Sequence, residues 1–257
     1  MVAAGGRLVA QQEGQSVRCA VMQPTYFPWG GYFNLIASVE AFVFLDDVQY
    51  ERGTWHNRNR VLLQGQPHWL AVPVMRGHLG EALNQVHVDE KLPWRKKHIA
   101  LLRQVYGRHP FAEDVIPTCE HLIGDRNPGT LAQLNERIIA AFCVRLDITT
   151  PLLRSSDLGI GGQRSERLAR MCEHLGCDEY LSPPGASEYL AADGFVEKTK
   201  VRLRINDFQP EEYKQYGEPG FVSHMSIIDI VANLGWDDAS AYVRCGSVKS
   251  RESMGEA

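Results

Sequence analysis

Residues 17–47 read VRCAVMQPTYFPWGGYFNLIASVEAFVFLDD, and this stretch decides the fold. Its apolar runs at residues 17–22 and 41–45 are typical of strands buried on both faces of a parallel sheet. Between them, apolar side chains spaced by three or four residues predict a helix over 32–39, just after a pair of glycines. Strand, loop, helix and strand make a βαβ unit, whose crossover is almost always right-handed. The sequence therefore predicts an α/β fold of the nucleotide-binding type, with an open, mainly parallel sheet and helices on both faces.

The rest of the chain adds a small hairpin and a helical second half. Two extended segments, at residues 60–63 and 68–74, flank a glycine-containing turn and predict a β-hairpin insertion. Helices are predicted over residues 94–106, 130–143, 163–175 and 225–233, the last of them capped by Gly235. Further strands are predicted at residues 86–88, 148–153, 179–182 and 201–205. The C-terminal half is thus expected to be largely helical.

Length and composition fit one globular domain. The chain has 257 residues, 44% of them hydrophobic, and a formal net charge of −4, which argues against broad nucleic-acid binding. We predict a disordered leader over residues 1–16, a single α/β catalytic domain over 17–246 and a loose tail over 247–257. No apolar run approaches the ~18 residues that cross a bilayer, and the start lacks the apolar core of a secretory signal. We therefore expect a cytoplasmic protein without a membrane span.

The six cysteines are scattered along the chain. Zinc sites need paired ligands at short spacing, whereas Cys172 and Cys177 lie five residues apart and the sequence contains no CxxC pair. We expect reduced, buried thiols and assign no metal ligand.

Ligands of open parallel sheets bind beyond the carboxyl ends of the strands, where loops and helix N-termini meet. This rule selects four loops, at residues 23–31, 46–59, 154–162 and 182–189. We expect the active site to be built mainly from the first two.

The first loop, QPTYFPWGG, joins the first strand to the first helix. Because helix N-termini present free N–H groups, Gly30 and Gly31 predict a seat for a phosphate or a carboxylate. The layout resembles the F-P-x-x-G loop of HIGH-type nucleotidylyl transferases, although neither signature histidine is present. A tight turn packed with aromatic side chains is the alternative. The substrate contacts expected here are Gln23, Tyr26, Gly31 and Tyr32.

The second loop, DDVQYERGTWHNRN, is rich in polar groups. Asp46 and Asp47 follow a buried strand, where carboxylates are costly unless they bind something or are solvated. Both are candidate catalytic residues. Pleat alternation predicts that the two side chains point to opposite sides, so only one can face the cavity fully. We assign the general base to Asp47, because the later residue stands farther out toward the loop that carries Arg58. His56 is a third candidate for acid–base work. The expected substrate contacts are Gln49, Tyr50, Asn57, Arg58 and Asn59.

Asp46, Asp47, Arg58 and Asn59 are expected to line one cavity, in which Arg58 holds an anion with its two-pronged guanidinium. A solvated loop with a local Asp–Arg pair is the alternative.

The third and fourth loops contribute serines. Ser155 and Ser156 follow a predicted strand, and Ser182 ends another. A serine nucleophile would need a histidine base, and no sequence neighbour supplies one, so we expect these hydroxyls to hydrogen-bond substrate instead.

Four segments together resemble the WbqC-like protein family. They are AVMQPTYFPWGGYFNLIASVEAFVFLDDVQY, the W-x-N-R-N of residues 55–59, SSDL followed by LGCDEYLSPPGASEYL, and a segment from Tyr213 that leads into SIIDIVANLG. The resemblance spans residues 17–235. Carried over residue by residue, the family motif falls on Gln23, Pro24, Phe27, Pro28, Gly31, Tyr32, Asp46, Asp47, Gln49, Tyr50, Asn57, Arg58, Asn59, Ser155, Ser156, Tyr180, Ser182 and Tyr189.

The resemblance implies a transferase that tailors a sugar or an amino-acid-like intermediate, by acyl or aminoacyl transfer to an amine. Members typically belong to surface polysaccharide biosynthesis, notably that of O-antigen, or to natural-product biosynthesis. The partners would be a small-molecule donor and acceptor, such as a sugar nucleotide, an amino acid or an acyl donor, and an aminoacyl-tRNA donor stays open.

Two alternatives come from other functional classes. One is a nucleotidylyl-transferase-like enzyme that binds ATP or a nucleotide sugar, with Mg²⁺ bridging the phosphates. The other is a non-catalytic subunit that binds a nucleotide sugar. The sequence names neither the cofactor nor the oligomeric state.

Overall fold

The structure, a computed structural model, describes residues 16–245 except 76, 78, 79 and 128. The side chains of residues 189, 197, 198 and 245 are outside its description. Apart from Ser16, the predicted leader and the predicted tail lie outside the described residues.

The sheet at the centre of the described part is parallel throughout. Strands of the molecule are β1 (Arg18–Met22), β2 (Ala41–Phe44), β3 (Arg58–Leu63), β4 (Gln66–Ala71), β5 (Leu152–Arg154), β6 (Glu179–Ser182) and β7 (Arg202–Ile205). Five of them form one sheet in the order β5-β2-β1-β6-β7, and each neighbouring pair is parallel. The predicted α/β fold with an open parallel sheet is confirmed.

Helices pack on both faces of this sheet. They are α1 (Gly30–Ala37), α2 (Trp94–Tyr106), α3 (Ala112–Gly124), α4 (Leu131–Arg145), α5 (Ser155–Leu158), α6 (Arg164–Leu175), α7 (Ser187–Ala192), α8 (Phe195–Lys198) and α9 (Ile227–Cys245). Because side chains alternate along a strand, Ala20 of β1 joins the larger core with α1 to α4 and α9. Its neighbours Cys19 and Val21 join the smaller core with α6, α7 and α8.

The predicted hairpin is confirmed, with a tighter turn than expected. Strands β3 and β4 are antiparallel, and Leu63 pairs with Gln66 across a two-residue turn. Gln64 and Gly65 both have positive φ, 52° and 72°, which is the backbone of the type I′ turn that fits the twist of a hairpin.

Several elements differ from the sequence prediction. The segment 86–88 is not a strand, since it makes only isolated bridges to Val74 and Thr130. Helix α3 was not predicted, because Pro117 inside it breaks the usual helical pattern. The loop predicted at 154–162 contains the short helix α5. Helix α9 continues beyond the predicted end, with a break at Gly235, whose φ of 77° is non-helical.

Two further expectations concern burial and membranes. The five cysteines whose side chains are described are free and buried, as predicted. Within residues 16–245, excluding the four gaps, no helix is long and apolar enough to cross a membrane.

Candidate functional site

The two aspartates after β2 bind to the helix that follows β5. The carboxylate of Asp46, only 2% exposed, accepts hydrogen bonds from the backbone N–H and the hydroxyl of Ser156, at 3.0 and 2.6 Å. It also accepts from the hydroxyl of Ser155, at 3.0 Å, and from the amide of Asn84, at 3.2 Å. These four hydrogen bonds satisfy both oxygens of a carboxylate that would be costly to bury without partners. Asp46 therefore anchors the start of α5 to the end of β2.

Asp47 belongs to the same cluster. Its carboxylate accepts a hydrogen bond from Ser155 at 2.6 Å and pairs with Arg167 of α6 at 2.5 Å. Burial raises the pKa of Asp47, but the hydrogen bonds of Arg167 and Ser155 and the charge of Arg167 outweigh it, so the pKa lies below its usual value. A general base works best with a pKa near the working pH, so this arrangement disfavours the assignment of the base to Asp47.

The aspartates do not point to opposite sides, as the pleat had suggested, because one hydroxyl, that of Ser155, contacts both carboxylates. The strand ends at Phe44, and Asp46 and Asp47 already lie in a turn. Pleat alternation no longer applies there. Ser155 and Ser156 were expected as substrate contacts, but their hydroxyls donate hydrogen bonds to the two carboxylates instead.

The glycine pair at the start of α1 is covered. Both glycines are buried, and a Cβ on Gly31 would overlap the indole of Trp29, while one on Gly30 would lie 2.9 Å from Cδ1 of Ile230. The alternative interpretation, a tight turn packed with aromatic side chains, describes this loop. The predicted phosphate seat at Gly31 is therefore corrected, because the ring of Trp29 occupies the space next to this glycine.

A cavity of about 270 Å³ lies at the carboxyl end of β1, where Met22 lines it. Its position agrees with the rule for ligands of parallel sheets. Six of its nine lining residues carry an aromatic ring or a large polar group: Trp29, Tyr32, Trp55, Asn59, Arg60 and His224. Of the four residues expected to line one cavity, Asn59 lines this one, whereas Asp46, Asp47 and Arg58 are not among its lining residues.

The cavity brings a cation next to an imidazole. The ring of His224 stacks on Trp29, with centroids 4.5 Å apart and an angle of 28° between the planes. Arg60 donates from Nη2 to the carbonyl oxygen of His224 at 3.2 Å, and its Nε is buried without a partner among the described residues. Burial, and then the positive charge of Arg60, lower the pKa of His224. The imidazole is therefore neutral at pH 7 and able to accept a proton.

Hydrogen bonds from three directions hold the loop that floors this cavity. The carbonyl oxygen of Phe27 accepts from Asn59 at 2.8 Å and from the hydroxyl of Ser226 at 2.9 Å. The amide of Asn135 donates to the carbonyls of Pro24 and His56, at 3.0 and 2.7 Å. Asn59, expected as a substrate contact, thus also positions the loop.

Backbone strain marks the same region. Phe27 and His224 have positive φ values of 40° and 60°, which residues with a side chain adopt only at an energetic cost. Such conformations persist where the surroundings hold them, as the bonds to the Phe27 carbonyl do here.

Several other predicted contacts lie in the core or on the surface. The side chain of Tyr26 is fully buried, and its hydroxyl lies 3.0 Å from Nδ1 of His98. Ser182 is also buried and donates to the carbonyl of Pro183. Gln49 is exposed, and the carbonyl of Gln23 accepts the hydroxyl of Tyr32 at 3.0 Å. Tyr26 and Ser182 are corrected to core positions, because both side chains are buried and their hydroxyls already bond within the protein.

Each of the remaining predicted residues buries a polar atom: Tyr50, His56, Asn57 and Arg58. The rings of Tyr50 and His56 lie 6.1 Å apart, and burial lowers the pKa of His56. Asn57 donates to the carbonyl of Val72 at 2.9 Å. Among the described residues, the hydroxyl of Tyr50, Nδ1 of His56, Oδ1 of Asn57 and Nε of Arg58 are buried without a partner. Tyr50, Asn57 and Arg58 stay candidates for substrate contact, and His56 stays a candidate for acid–base work. The described part contains no cluster of three or more His, Cys, Asp or Glu suited to a metal.

A larger cavity of about 380 Å³ lies against α6. Four of its five charged lining residues are paired with one another, because Arg170 binds Glu166 at 2.6 Å and Arg164 lies 3.6 Å from Asp193. The smaller aromatic cavity is the stronger candidate for a ligand, because Nε of Arg60 is buried there without a partner in the described part of the chain.

Comparison with known proteins identifies the family of the chain. The sequence model of the WbqC-like protein family matches residues 23–241. The chain belongs to the WbqC-like protein family. The relatives include the Uncharacterized protein Rv1507c of Mycobacterium tuberculosis (strain ATCC 25618 / H37Rv), which is 31% identical over 230 residues. The match covers 88% of this chain and 97% of that relative. No solved structure matches.

Sequence reasoning missed two functional candidates of this WbqC-like chain, Arg60 and His224. Arg60 directly follows the W-x-N-R-N motif, and the repeated Asn-Arg pattern was a signal that it could share a role with Arg58. His224 lies 164 positions from Arg60, and only tertiary packing brings the two together. No local pattern around residue 224 distinguishes it from a structural histidine.

Proposed function

We propose that this chain is a transferase that passes an acyl-type group to an amine or hydroxyl of a sugar or amino-acid-like acceptor, with His224 as the general base. The observation that carries the proposal is the position of the His224 imidazole, which lies beside Arg60 and lines an aromatic cavity at the carboxyl end of β1, where burial and Arg60 lower its pKa. A neutral imidazole is the side chain best suited to take a proton from an amine or a hydroxyl near pH 7.

The chemistry assigns a role to each side of the cavity. The acceptor nitrogen or oxygen attacks the acyl carbon of an ester or thioester donor, and the bond from that carbon to the leaving group breaks. The proton of the acceptor passes to His224 and then to the leaving group. Arg60 binds an anionic group of either substrate, because its guanidinium presents several donors in one plane. Indole and phenol surfaces of Trp29, Trp55 and Tyr32 pack on the apolar face of the acceptor.

The family resemblance supports the substrate class. Acyl or aminoacyl transfer to a sugar amine in surface polysaccharide or natural-product biosynthesis is the activity expected of a WbqC-like protein. The alternative, nucleotidylyl transfer with a phosphate bound at Gly31, is less well supported, because Trp29 covers this glycine.

Native mass spectrometry tests the proposal. Freshly purified protein is mixed with separate pools of amino sugars, amino acids, nucleotide sugars and acyl thioesters, and each retained ligand is then offered with the donors. We expect a retained acceptor whose mass rises by that of the acyl group. In His224→Asn, retention persists while transfer falls by roughly 10²- to 10⁴-fold.

The matched control is His174→Asn, since His174 is an exposed histidine near the end of α6. We expect wild-type transfer from this variant. Transfer at the wild-type rate by His224→Asn would contradict the assigned base. A retained ligand that no donor ever modifies would favour the non-catalytic binding subunit instead.

A further inference from the structure

Two exposed tryptophans lie side by side, Trp69 on the outer face of the hairpin and Trp55 in the loop before it. Along β3 and β4 side chains alternate, so Asn59, Val61 and Leu70 are buried while Arg60 and Trp69 point outward. Trp69 is 45% exposed, and Trp55 beside it is 46% exposed. Their ring centroids lie 5.5 Å apart. Large aromatic surfaces exposed side by side are unusual on a protein surface and mark binding sites.

Two guanidinium groups interleave with these rings. Arg58 lies over Trp69, 4.1 Å from the ring centroid, and Arg60 lies 5.4 Å from Trp55 and 6.0 Å from Trp69. Arg60 pairs directly with Trp69 across the hairpin, which fixes this register. We call Trp55, Arg58, Arg60 and Trp69 the hairpin platform.

The platform is continuous with the cavity, because Trp55 and Arg60 belong to both. A ligand that reaches from one to the other needs a flat ring for the indoles and a negative charge for the guanidinium groups. Nucleobases stack on tryptophan whatever their identity, and phosphates pair with arginine. A nucleotide combines both features within one small molecule.

We infer that the hairpin platform binds the nucleotide part of one substrate, with the base on Trp69 and Trp55 and the phosphate at Arg58 and Arg60. The reacting end of that substrate then lies in the cavity. This inference rests on the proposed function, whose donor or acceptor would carry the nucleotide. It moves the nucleotide away from the start of α1, where Trp29 covers Gly31.

Calorimetric titration of the full chain tests the platform. The probes are the four ribonucleoside 5′-monophosphates, titrated singly, and ribose 5-phosphate, which has the phosphate but no base. We expect at least one monophosphate to bind saturably and more tightly than ribose 5-phosphate. Trp69→Ala should weaken that binding by roughly 5- to 150-fold, whereas Trp69→Phe, which keeps a stacking face, retains most of it.

Two controls separate stacking from general damage. Tyr216→Ala removes an aromatic side chain with a similar exposure, 47%, that belongs neither to the hairpin strands nor to the platform, and should bind nucleotides as the wild type does. Arg58→Lys keeps the positive charge but loses the planar group over Trp69, so we expect an intermediate loss. Thermal unfolding of each variant shows whether it is folded.

Three results would overturn the inference: binding of ribose 5-phosphate as tight as that of every nucleotide, unchanged binding by Trp69→Ala, or no binding by any monophosphate. A single-stranded RNA tetramer distinguishes the source of the nucleotide. Tighter binding of the tetramer than of any monophosphate assigns it to an RNA end, and equal or weaker binding assigns it to a small conjugate.

Failure of this inference and failure of the proposed function give different results. Transfer that depends on His224 but uses a donor and an acceptor without a nucleotide leaves the function standing and removes the platform. Nucleotide binding that depends on Trp69, combined with transfer indifferent to His224→Asn, leaves the platform standing and removes the assigned base.

Discussion

The charge of Arg60 tunes the imidazole of His224, and this pair makes a prediction about pH. The proposed base must be neutral, so transfer is lost as the pH falls below the pKa of His224, which burial and Arg60 hold below 6.5. Arg60→Gln removes the positive charge and should raise this pKa, which moves the acid limb of the rate–pH profile to higher pH. The measurement is kcat/KM against pH for both proteins with the same substrates.

Arg103→Gln is the control for this shift, because Arg103 pairs with Glu120 on the surface, on α2. Its acid limb should coincide with that of the wild type. An acid limb that stays in place in Arg60→Gln would show that the titrating group is not His224.

Individual residues also show where sequence reasoning ends. The polar clusters at the strand ends could be predicted, since Asp46 and Asp47 had to find partners after a buried strand. The identity of those partners could not. Ser155 lies 108 positions from Asp47, and Arg167 lies 120 positions from it. Arg58, the partner suggested by nearness in sequence, stacks on Trp69 instead.

The N-terminus of α1 requires a glycine at position 31, because Trp29 leaves no room for a side chain there. A Cβ at position 31 would overlap the ring of Trp29, so Gly31→Ala should displace the indole and lower the free energy of unfolding by about 1–3 kcal/mol. Gly161→Ala is the control, since a Cβ there meets nothing within 4 Å. Urea unfolding measures both, and a Gly31→Ala protein as stable as wild type would show that Trp29 has room to move.

Elements were predictable where their pattern is local. The limits of α2 and β6 agree with the prediction, because apolar spacing and flanking residues define both. Helix α3 escaped, since Pro117 is compatible with a helix only when packing against its neighbours compensates. Helix α5 has four residues, and it depends on Asp46, which lies in another part of the chain.

The stability of the whole molecule depends on pH through His98, which lies in α2 and is 6% exposed. Burial lowers its pKa from 6.5 to about 4. His98 is therefore protonated near pH 6.5 in the unfolded chain, but only near pH 4 in the folded protein. The contribution of His98 is present above pH 6.5 and is lost as the pH falls toward 4. Between pH 7 and 5 we expect a loss of about 2 kcal/mol from this residue.

Urea unfolding at pH 7 and 5 measures this loss. His98→Asn keeps a polar atom near the hydroxyl of Tyr26 but cannot be protonated, so its stability should fall less over the same range. His174→Asn, at an exposed position, should follow the wild type. Identical pH dependence of His98→Asn and wild type would place the acid sensitivity elsewhere.

The order of strands in the sheet has a consequence for the birth of the protein on the ribosome. β1 lies between β2 and β6, and Cys19 pairs in register with Tyr180, about 160 positions later. At the usual pace of translation, roughly 8–30 s separate the synthesis of these partners. During that interval the edge of β1 that later pairs with β6 has no partner strand, so it can pair with other nascent chains. Slower translation lengthens this interval, so we expect a lower yield of native protein when synthesis is slowed.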